Sequence, residues 1–235
     1  MSPLRVFIGM DERQPIALSV AQHSIAMNCS KPVAITPLVY RQLPLKRTGL
    51  TTFTYTRYLV PWLCNYEGHA LFIDADMLCL GDIAELPWDA AESVHVVPHT
   101  SVQKHGQTVS VVFERPSVML FNCAECKRLT PEYIETGKPQ SFDWADAIGH
   151  LPAEWNHLVG YDAPKPAKLV HFTQGIPCFP ETQNDEYAAE WVQAMQALSS
   201  TVPWAEIMGN SVHAKWKLQA QKPRLMYGQF PTKAG

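Results

Sequence analysis

Two aspartates, Asp74 and Asp76, follow directly on the apolar run 70–73 (ALFI) and are separated by one alanine. The run has the length and composition of a buried strand. Alternation along an extended chain directs the side chains of residues 74 and 76 to the same side. Two carboxylates that close together repel each other strongly unless a cation lies between them. Because oxygen ligands suit Mg²⁺ and Mn²⁺, the triplet is consistent with a metal site.

The same triplet also has a plain structural interpretation. One aspartate would cap the turn that follows the strand, and the other would be solvated. Short patterns of this kind arise often by chance, so the triplet alone does not decide between a metal site and a capped turn. The strands and helices predicted around the triplet are needed to distinguish the metal site from the capped turn.

Strands and helices alternate along the first part of the chain. Apolar runs predict strands at 4–10, 32–38, 70–74, 94–98, 108–114, 117–122 and 167–172. Apolar residues at helical spacing predict helices at 15–27, 54–66 and 187–198. Within the second helix, Pro61 predicts either a kink or a new start.

The βαβ order of these elements favours an α/β fold that is Rossmann-like, with a mainly parallel sheet flanked by helices. In open sheets of this kind, ligands collect at the carboxyl ends of the strands. Asp74 and Asp76 lie at such an end. We expect a single domain over residues 1–200 and a C-terminal extension over 201–235.

The composition indicates a folded chain without a global charge bias. The 235 residues are 46% hydrophobic and 17% charged, which suffices for a sizeable core. A net charge of −3 gives no global electrostatic argument for nucleic-acid binding. No run of about 18 apolar residues is present, so no membrane span is predicted.

Six cysteines are present, and the first residues lack the layout of a signal peptide. We therefore expect reduced cysteines and a cytoplasmic protein. Cys123 and Cys126 form a lone CxxC pair. Without a second pair or a thioredoxin-like context, we interpret it as structural rather than as a redox or zinc site.

Five segments of the chain carry a further signal. The segment around the triplet is TYTRYLVPWLCNYEGHALFIDADMLCLGDIAEL, and the other four are VFIGMDERQPIALSVAQHSI, SVMLFN, LPAEWNHLVGY and KLVHFTQGIPCF. In their order they resemble glycosyltransferases with the GT-A fold, most closely the retaining enzymes of family 8 and a bacterial and phage-associated set among them. The segment around the triplet resembles the donor-binding segment of these enzymes, and the resemblance extends from about residue 4 to residue 180.

This resemblance implies a metal site and a donor site. Asp74 and Asp76 match the metal-binding pair, and His171 matches the third ligand, so the implied cofactor is Mn²⁺ or Mg²⁺. Asp11 matches a position that contacts the nucleoside, and Arg57 one that helps to hold the nucleotide-sugar. A surface arginine on a helix is the alternative for Arg57. The donor-binding positions implied in addition are Gly9, Ala75, Thr173 and Gly175.

Two further acids, Asp146 and Asp143, are the candidate catalytic residues beside the donor sugar. Each has a helix cap as an equally good interpretation. The chain also departs from the family. Ile176 stands where the family has a lysine before the proline, and the acid–glutamine pair near the sugar is not recognisable in SFDWADAIGHLP (141–152).

The resemblance implies a metal-dependent transferase that moves a hexose, with retention, from UDP-glucose or UDP-galactose to an acceptor hydroxyl. The acceptor would be a glycan, a lipid-linked glycan, a protein or a modified nucleic-acid base. Two alternatives stay open. A nucleotidyltransferase would normally carry a glycine-rich basic loop after the first strand, and GMDERQP is not one. A non-catalytic nucleotide-sugar-binding module would explain the missing lysine and glutamine.

Overall fold

A computed structural model of the protein describes residues 2–98, 102–104, 107–109, 116–163 and 165–199. The strands within them are β1 (Leu4–Gly9), β2 (Val33–Leu38), β3 (His69–Asp74), β4 (Met77–Cys79), β5 (Val94–Val96), β6 (Val102–Lys104), β7 (Gln107–Val109), β8 (Val118–Asn122), β9 (Ile148–His150), β10 (His157–Leu158) and β11 (Leu169–His171). The α-helices are α1 (Pro15–Asn28), α2 (Phe53–Thr56), α3 (Val60–Leu63), α4 (Pro131–Thr136) and α5 (Ala188–Ser199). Two predicted features lie outside the described residues: the extension at 201–235 and residues 110–114 of the strand predicted at 108–114.

Six strands form the central sheet in the order β2-β1-β3-β8-β5-β9. Three of its five pairings are parallel, and β8 runs antiparallel to both of its neighbours. A smaller sheet has the order β10-β11-β4, and β6 pairs with β7. The predicted α/β fold with a mainly parallel sheet is confirmed.

Strand register brings the sequence candidates together. In the parallel pair of β1 and β3, Gly9 lies opposite Asp74, so both strands end at the same edge. In the smaller sheet, β11 runs antiparallel to β4 and places His171 opposite Met77. Because Met77 directly follows Asp76, this pairing carries His171 to the turn that holds the two aspartates.

The two faces of the central sheet are buried in separate apolar clusters. Val6 and Ile8 of β1 belong to one cluster together with buried residues of α1, β4 and β11, whereas Phe7 belongs to the other. Alternation along a strand produces this division. Fully burying one such side chain stabilises the fold by roughly 1.5–3 kcal/mol, so the strands are held firmly from both sides.

The predicted helix at 54–66 is divided. A 3₁₀ turn, Arg57–Leu59, separates α2 from α3, and Pro61 stands in the first turn of α3. Proline has no N–H to continue the helix and is tolerated only at such a start. The segment ends where Asn65 and Tyr66 adopt φ values of 52° and 56°. Of the two predicted effects of Pro61, the new start is the one observed.

The cysteines are free, as expected, and three of them lie close together in the core. Cys64, Cys123 and Cys126 are all buried, and burial raises the pKa of the Cys126 thiol to about 12. A thiol with such a pKa stays protonated and unreactive. The structural interpretation of the CxxC pair is therefore supported. Among the described residues, no helix has both the length and the apolar character needed to cross a membrane.

Trp144 anchors the segment that follows α4, and its replacement tests this packing. Its ring is fully buried and stacks on Phe142 with the ring centroids 5.6 Å apart, and its Nε1–H donates to the carbonyl of Pro139 at 2.8 Å. We expect Trp144→Ala to lower the free energy of unfolding in urea by about 3–5 kcal/mol. Trp62, which is 36% exposed, is the matched control, and Trp62→Ala should cost less than about 1 kcal/mol. Equal losses for the two variants would contradict this account of the core.

Candidate active site

Asp74, Asp76 and His171 converge at the carboxyl edge of β3. Each offers one ligand atom, and these atoms all lie within 4.8 Å of one another. Nε2 of His171 is 3.4 Å from Oδ1 of Asp76. That oxygen is buried and takes part in no hydrogen bond among the described residues. Two carboxylates and one imidazole, with a buried oxygen still to be satisfied, form a donor set that fits Mn²⁺ or Mg²⁺.

The local chain path explains why these side chains meet. β3 ends at Asp74, a turn follows, and β4 begins at Met77. The backbone N–H of Phe172 donates to the carbonyl of Asp76 at 3.0 Å. This bond extends the pairing of β11 with β4 into the turn and fixes the distance between His171 and the two aspartates.

Arg57 is buried and holds Asp74. One guanidinium nitrogen, Nη2, lies 3.0 Å from Oδ1 of Asp74. Nη1 donates to the carbonyl of Pro116 at 2.7 Å, and Nε donates to the carbonyl of Phe53 at 3.2 Å. The alternative of a surface arginine is therefore wrong. A guanidinium fixed at three points provides a constant positive charge beside one of the two carboxylates.

A cavity of about 580 Å³ opens in front of these groups. That volume is within the usual range for sites that bind small molecules. One wall is charged and contains Arg57 and the three candidate metal ligands, and the remainder is built from apolar, hydroxyl and amide side chains. The other lining residues are Leu50, Thr51, Phe53, Thr54, Pro116, Gln140 and Thr173.

A smaller cavity of about 120 Å³ adjoins the first and shares the residues Thr51, Phe53 and Asp76 with it. It contains Asp11 and Arg13. The Arg13 guanidinium donates to both carboxylate oxygens of Asp11, and the Arg13 backbone N–H donates to one of them. The side-chain hydrogen bond from Arg13 is the main reason that the pKa of Asp11 lies below its usual value. Asp11 is therefore an ionised acceptor in this cavity.

The other predicted donor-binding residues occupy different settings. Ala75 lines the smaller cavity and Thr173 the larger one. Gly9 is needed for packing, because a Cβ there would lie 2.6 Å from Cγ of Phe53. Gly175 has φ of 120° and donates its N–H to the carbonyl of Phe172 at 2.9 Å. Gly175 lines neither cavity.

Asp143 and Asp146 are exposed, and neither lines the cavities described above. Phe142, just before Asp143, and Trp144, between the two aspartates, pack in the core. The aspartates therefore point outward. From the same segment it is Gln140 that reaches the larger cavity. Sequence reasoning missed Gln140 because it sought the acid–glutamine pair from residue 141 onward. An extended search over PQSFDWAD would have included this glutamine.

Comparison with known proteins places the chain in a family. No protein-family model matches it. Protein CDI of Arabidopsis thaliana is 34% identical over 226 residues, and the alignment covers 83% of this chain and 86% of the plant protein. Identity at this level over most of both chains indicates common descent rather than a shared motif.

Solved structures of glycosyltransferases share the fold. The bifunctional glycosyltransferase WbbM matches 88% of this chain with a TM-score of 0.59 and 15% identity, and this chain spans about half, 51%, of that one. The galactosyltransferase LgtC, solved with donor and acceptor sugar analogues, matches 86% of this chain and 99% of its own, with a TM-score of 0.55 and 10% identity.

A third match is GlyE of Streptococcus pneumoniae TIGR4. It covers 100% of this chain and 67% of its own, with a TM-score of 0.57 and 17% identity. At these identities the matches show a common architecture, and this architecture is the GT-A fold that the five sequence segments predicted. The chain therefore has the fold of GT-A glycosyltransferases and belongs to the family of the Arabidopsis thaliana Protein CDI.

Proposed function

We propose that the protein is a metal-dependent glycosyltransferase that moves a hexose from a nucleotide-sugar to an acceptor hydroxyl. The main support for this proposal is that Asp74, Asp76 and His171 lie close together in the lining of a cavity of about 580 Å³. LgtC, which has the same fold, is described as a galactosyltransferase and was solved with donor and acceptor sugar analogues. The resemblance to family 8 adds retention of anomeric configuration to the proposal.

Transfer of a hexose breaks the bond between the anomeric carbon and the phosphate oxygen and forms a bond to the acceptor oxygen, which loses its proton. Asp74, Asp76 and His171 would hold the divalent ion. Bound there, it would neutralise the charge that develops on the departing nucleoside diphosphate. Arg57 keeps Asp74 in place through the contact at 3.0 Å. The walls of the cavity position the two substrates and exclude water.

The two adjoining cavities suggest how the donor lies. Asp76 belongs to both cavities, so a diphosphate near this residue would send the nucleoside into the smaller cavity and the sugar into the larger one. Asp11 would then accept a hydrogen bond from the nucleoside. The family resemblance favours UDP-glucose or UDP-galactose as the donor.

Product analysis tests the proposal against its two alternatives. The protein is incubated with Mn²⁺ and a panel of sugar nucleotides, and separately with nucleoside triphosphates and sugar phosphates. Release of a nucleoside diphosphate from a sugar nucleotide supports the glycosyltransferase. Release of pyrophosphate from a triphosphate would identify a nucleotidyltransferase instead, and binding without either product would identify a non-catalytic module.

The first prediction of this proposal concerns the metal. Asp76→Asn removes one charged ligand and should lower nucleoside diphosphate release by about 10²-fold or more, while the melting temperature of the metal-free protein does not fall, because the substitution also removes a charge that repels Asp74. Asp89, which is exposed, is the matched control, and Asp89→Asn should leave turnover unchanged. Turnover of Asp76→Asn near the level of the unmodified protein would contradict the metal assignment.

A second prediction concerns the nucleotide. Calorimetry with Mn²⁺ present should show UDP binding at least about tenfold more tightly than GDP or CMP. Asp11→Ala should weaken UDP binding by roughly tenfold or more, because a hydrogen bond to a charged group contributes about 1.5–3 kcal/mol. Tighter binding of GDP or CMP than of UDP would overturn the donor assignment.

The third prediction concerns which side chain contacts the donor sugar, because the sequence and the structure favour different residues. The resemblance suggests Asp146, and second to it Asp143, whereas the cavity contains Gln140. One solved neighbour of the same fold is described as an active-site mutant of LgtC in which a glutamine is replaced by glutamate. We expect Gln140→Ala to lower kcat/KM about tenfold or more and Asp146→Ala to lower it less. The reverse order in steady-state kinetics would return the sugar-binding role to Asp146.

A further inference from the structure

We propose that Asn156 and Ser117 are positioning residues that fix the His171 ring as a metal ligand, an inference that rests on the proposed function. The Nδ1 atom of His171 lies 3.1 Å from Oδ1 of Asn156. The amide nitrogen Nδ2 of Asn156 donates to Oγ of Ser117 at 2.8 Å. All three side chains are buried, and Asn156 is 0% exposed.

The direction of these bonds determines which ring nitrogen can bind a cation. An amide oxygen only accepts, so the bond to Asn156 requires the proton of a neutral His171 to lie on Nδ1. Nε2 then carries the lone pair, and it is Nε2 that faces Asp76 at 3.4 Å. Imidazole ligands of metals commonly have an outer partner of this kind, which sets both the tautomer and the orientation of the ring.

Ser117 holds the amide of Asn156 on the side away from the ring. The NH₂ group of Asn156 is a donor only, and it finds an acceptor in the serine hydroxyl. If the amide turned over, its NH₂ group would face Nδ1, the ring proton would move to Nε2, and the ring could no longer bind a cation there. The serine hydroxyl can accept or donate, so its bond keeps the amide beside the ring, and the orientation with Oδ1 toward Nδ1 is the one that leaves the lone pair on Nε2.

Pro116, the neighbour of Ser117 just before β8, is connected to a second candidate ligand. The carbonyl of Pro116 accepts from Nη1 of Arg57 at 2.7 Å, and Nη2 of Arg57 lies 3.0 Å from Asp74. Residues 116 and 117 thus orient His171 through Asn156 and Asp74 through Arg57. Two of the three candidate ligands, His171 and Asp74, are therefore held by neighbouring residues at one end of β8. This arrangement fixes the distance between the two ligands before any ion binds.

Three substitutions separate positioning from a merely structural role. Asn156→Asp keeps an acceptor beside Nδ1, and Asn156→Leu removes it at similar volume. Ser117→Ala removes the hydroxyl that accepts from the amide of Asn156. Asn122, whose Nδ2 donates to the carbonyls of Ala90 and Ala91 at the other end of β8, gives the matched control Asn122→Leu.

The test measures Mn²⁺ binding by the full chain, from the electron paramagnetic resonance signal of free Mn²⁺, with and without UDP. We expect Asn156→Leu to raise the Kd for Mn²⁺ by 10- to 100-fold, in the range typical for loss of an outer partner. Ser117→Ala should raise it less, and Asn156→Asp should keep it within about threefold. Asn122→Leu should lower the melting temperature without changing the Kd.

The outcomes distinguish this inference from the proposed function. If the unmodified protein binds no Mn²⁺, or if His171→Ala binds it equally well, the proposed metal site fails. If His171→Ala weakens binding and folded Asn156→Leu does not, the positioning role is overturned and the metal site stands.

A measurement on the unmodified protein needs no variant to fold. Long-range ¹H–¹⁵N spectra of the protein with the diamagnetic ion Mg²⁺ and UDP bound should show His171 with its proton on Nδ1, which leaves Nε2 to the ion. A proton on Nε2 of His171 would overturn the inference.

Discussion

The repulsion between Asp74 and Asp76 is the constraint on which the rest of the site depends. Two carboxylates at the end of one strand, with Asp74 buried and Asp76 half-buried, raise the energy of the fold unless positive charge lies close by. Arg57 supplies one such charge, at 3.0 Å from Asp74. The buried oxygen of Asp76 is left for another partner, and this is the position that a divalent ion bound with His171 would occupy.

Strand pairing makes this arrangement possible. The parallel register of β1 and β3 brings Gly9 level with Asp74, and the absence of a side chain at Gly9 lets Phe53 lie close to the strand end. α2 therefore starts near the strand end, and Arg57, which follows α2, reaches Asp74. The antiparallel pairing of β11 with β4 adds His171 from a segment almost a hundred residues further along the chain. The site is thus a product of the sheet, with each charged group placed by backbone pairing.

Much of this fold follows from the periodicity of the sequence. β1, α1, β2, β3 and β8 occur where apolar patterns predict them, and Pro61 starts a new helix because it cannot continue the old one. Long-range relations are harder to predict. Nothing near His171 in the sequence shows that it meets Asp76, and only resemblance to other proteins supplied that link. The outward direction of Asp143 depends on Phe142 and Trp144 filling the core, which a sequence pattern of acids does not reveal. Gln140 escaped notice because it lies one residue before the segment 141–152 in which the acid–glutamine pair was expected.

A crystal structure of the protein with Mn²⁺ and UDP, with anomalous data collected at the manganese absorption edge, tests the central claim most directly. We expect one anomalous peak within coordination distance of carboxylate oxygens of Asp74 and Asp76 and of Nε2 of His171, with the diphosphate completing the coordination. A well-ordered nucleotide with no anomalous peak among these three side chains, or a peak held by other residues, would contradict it.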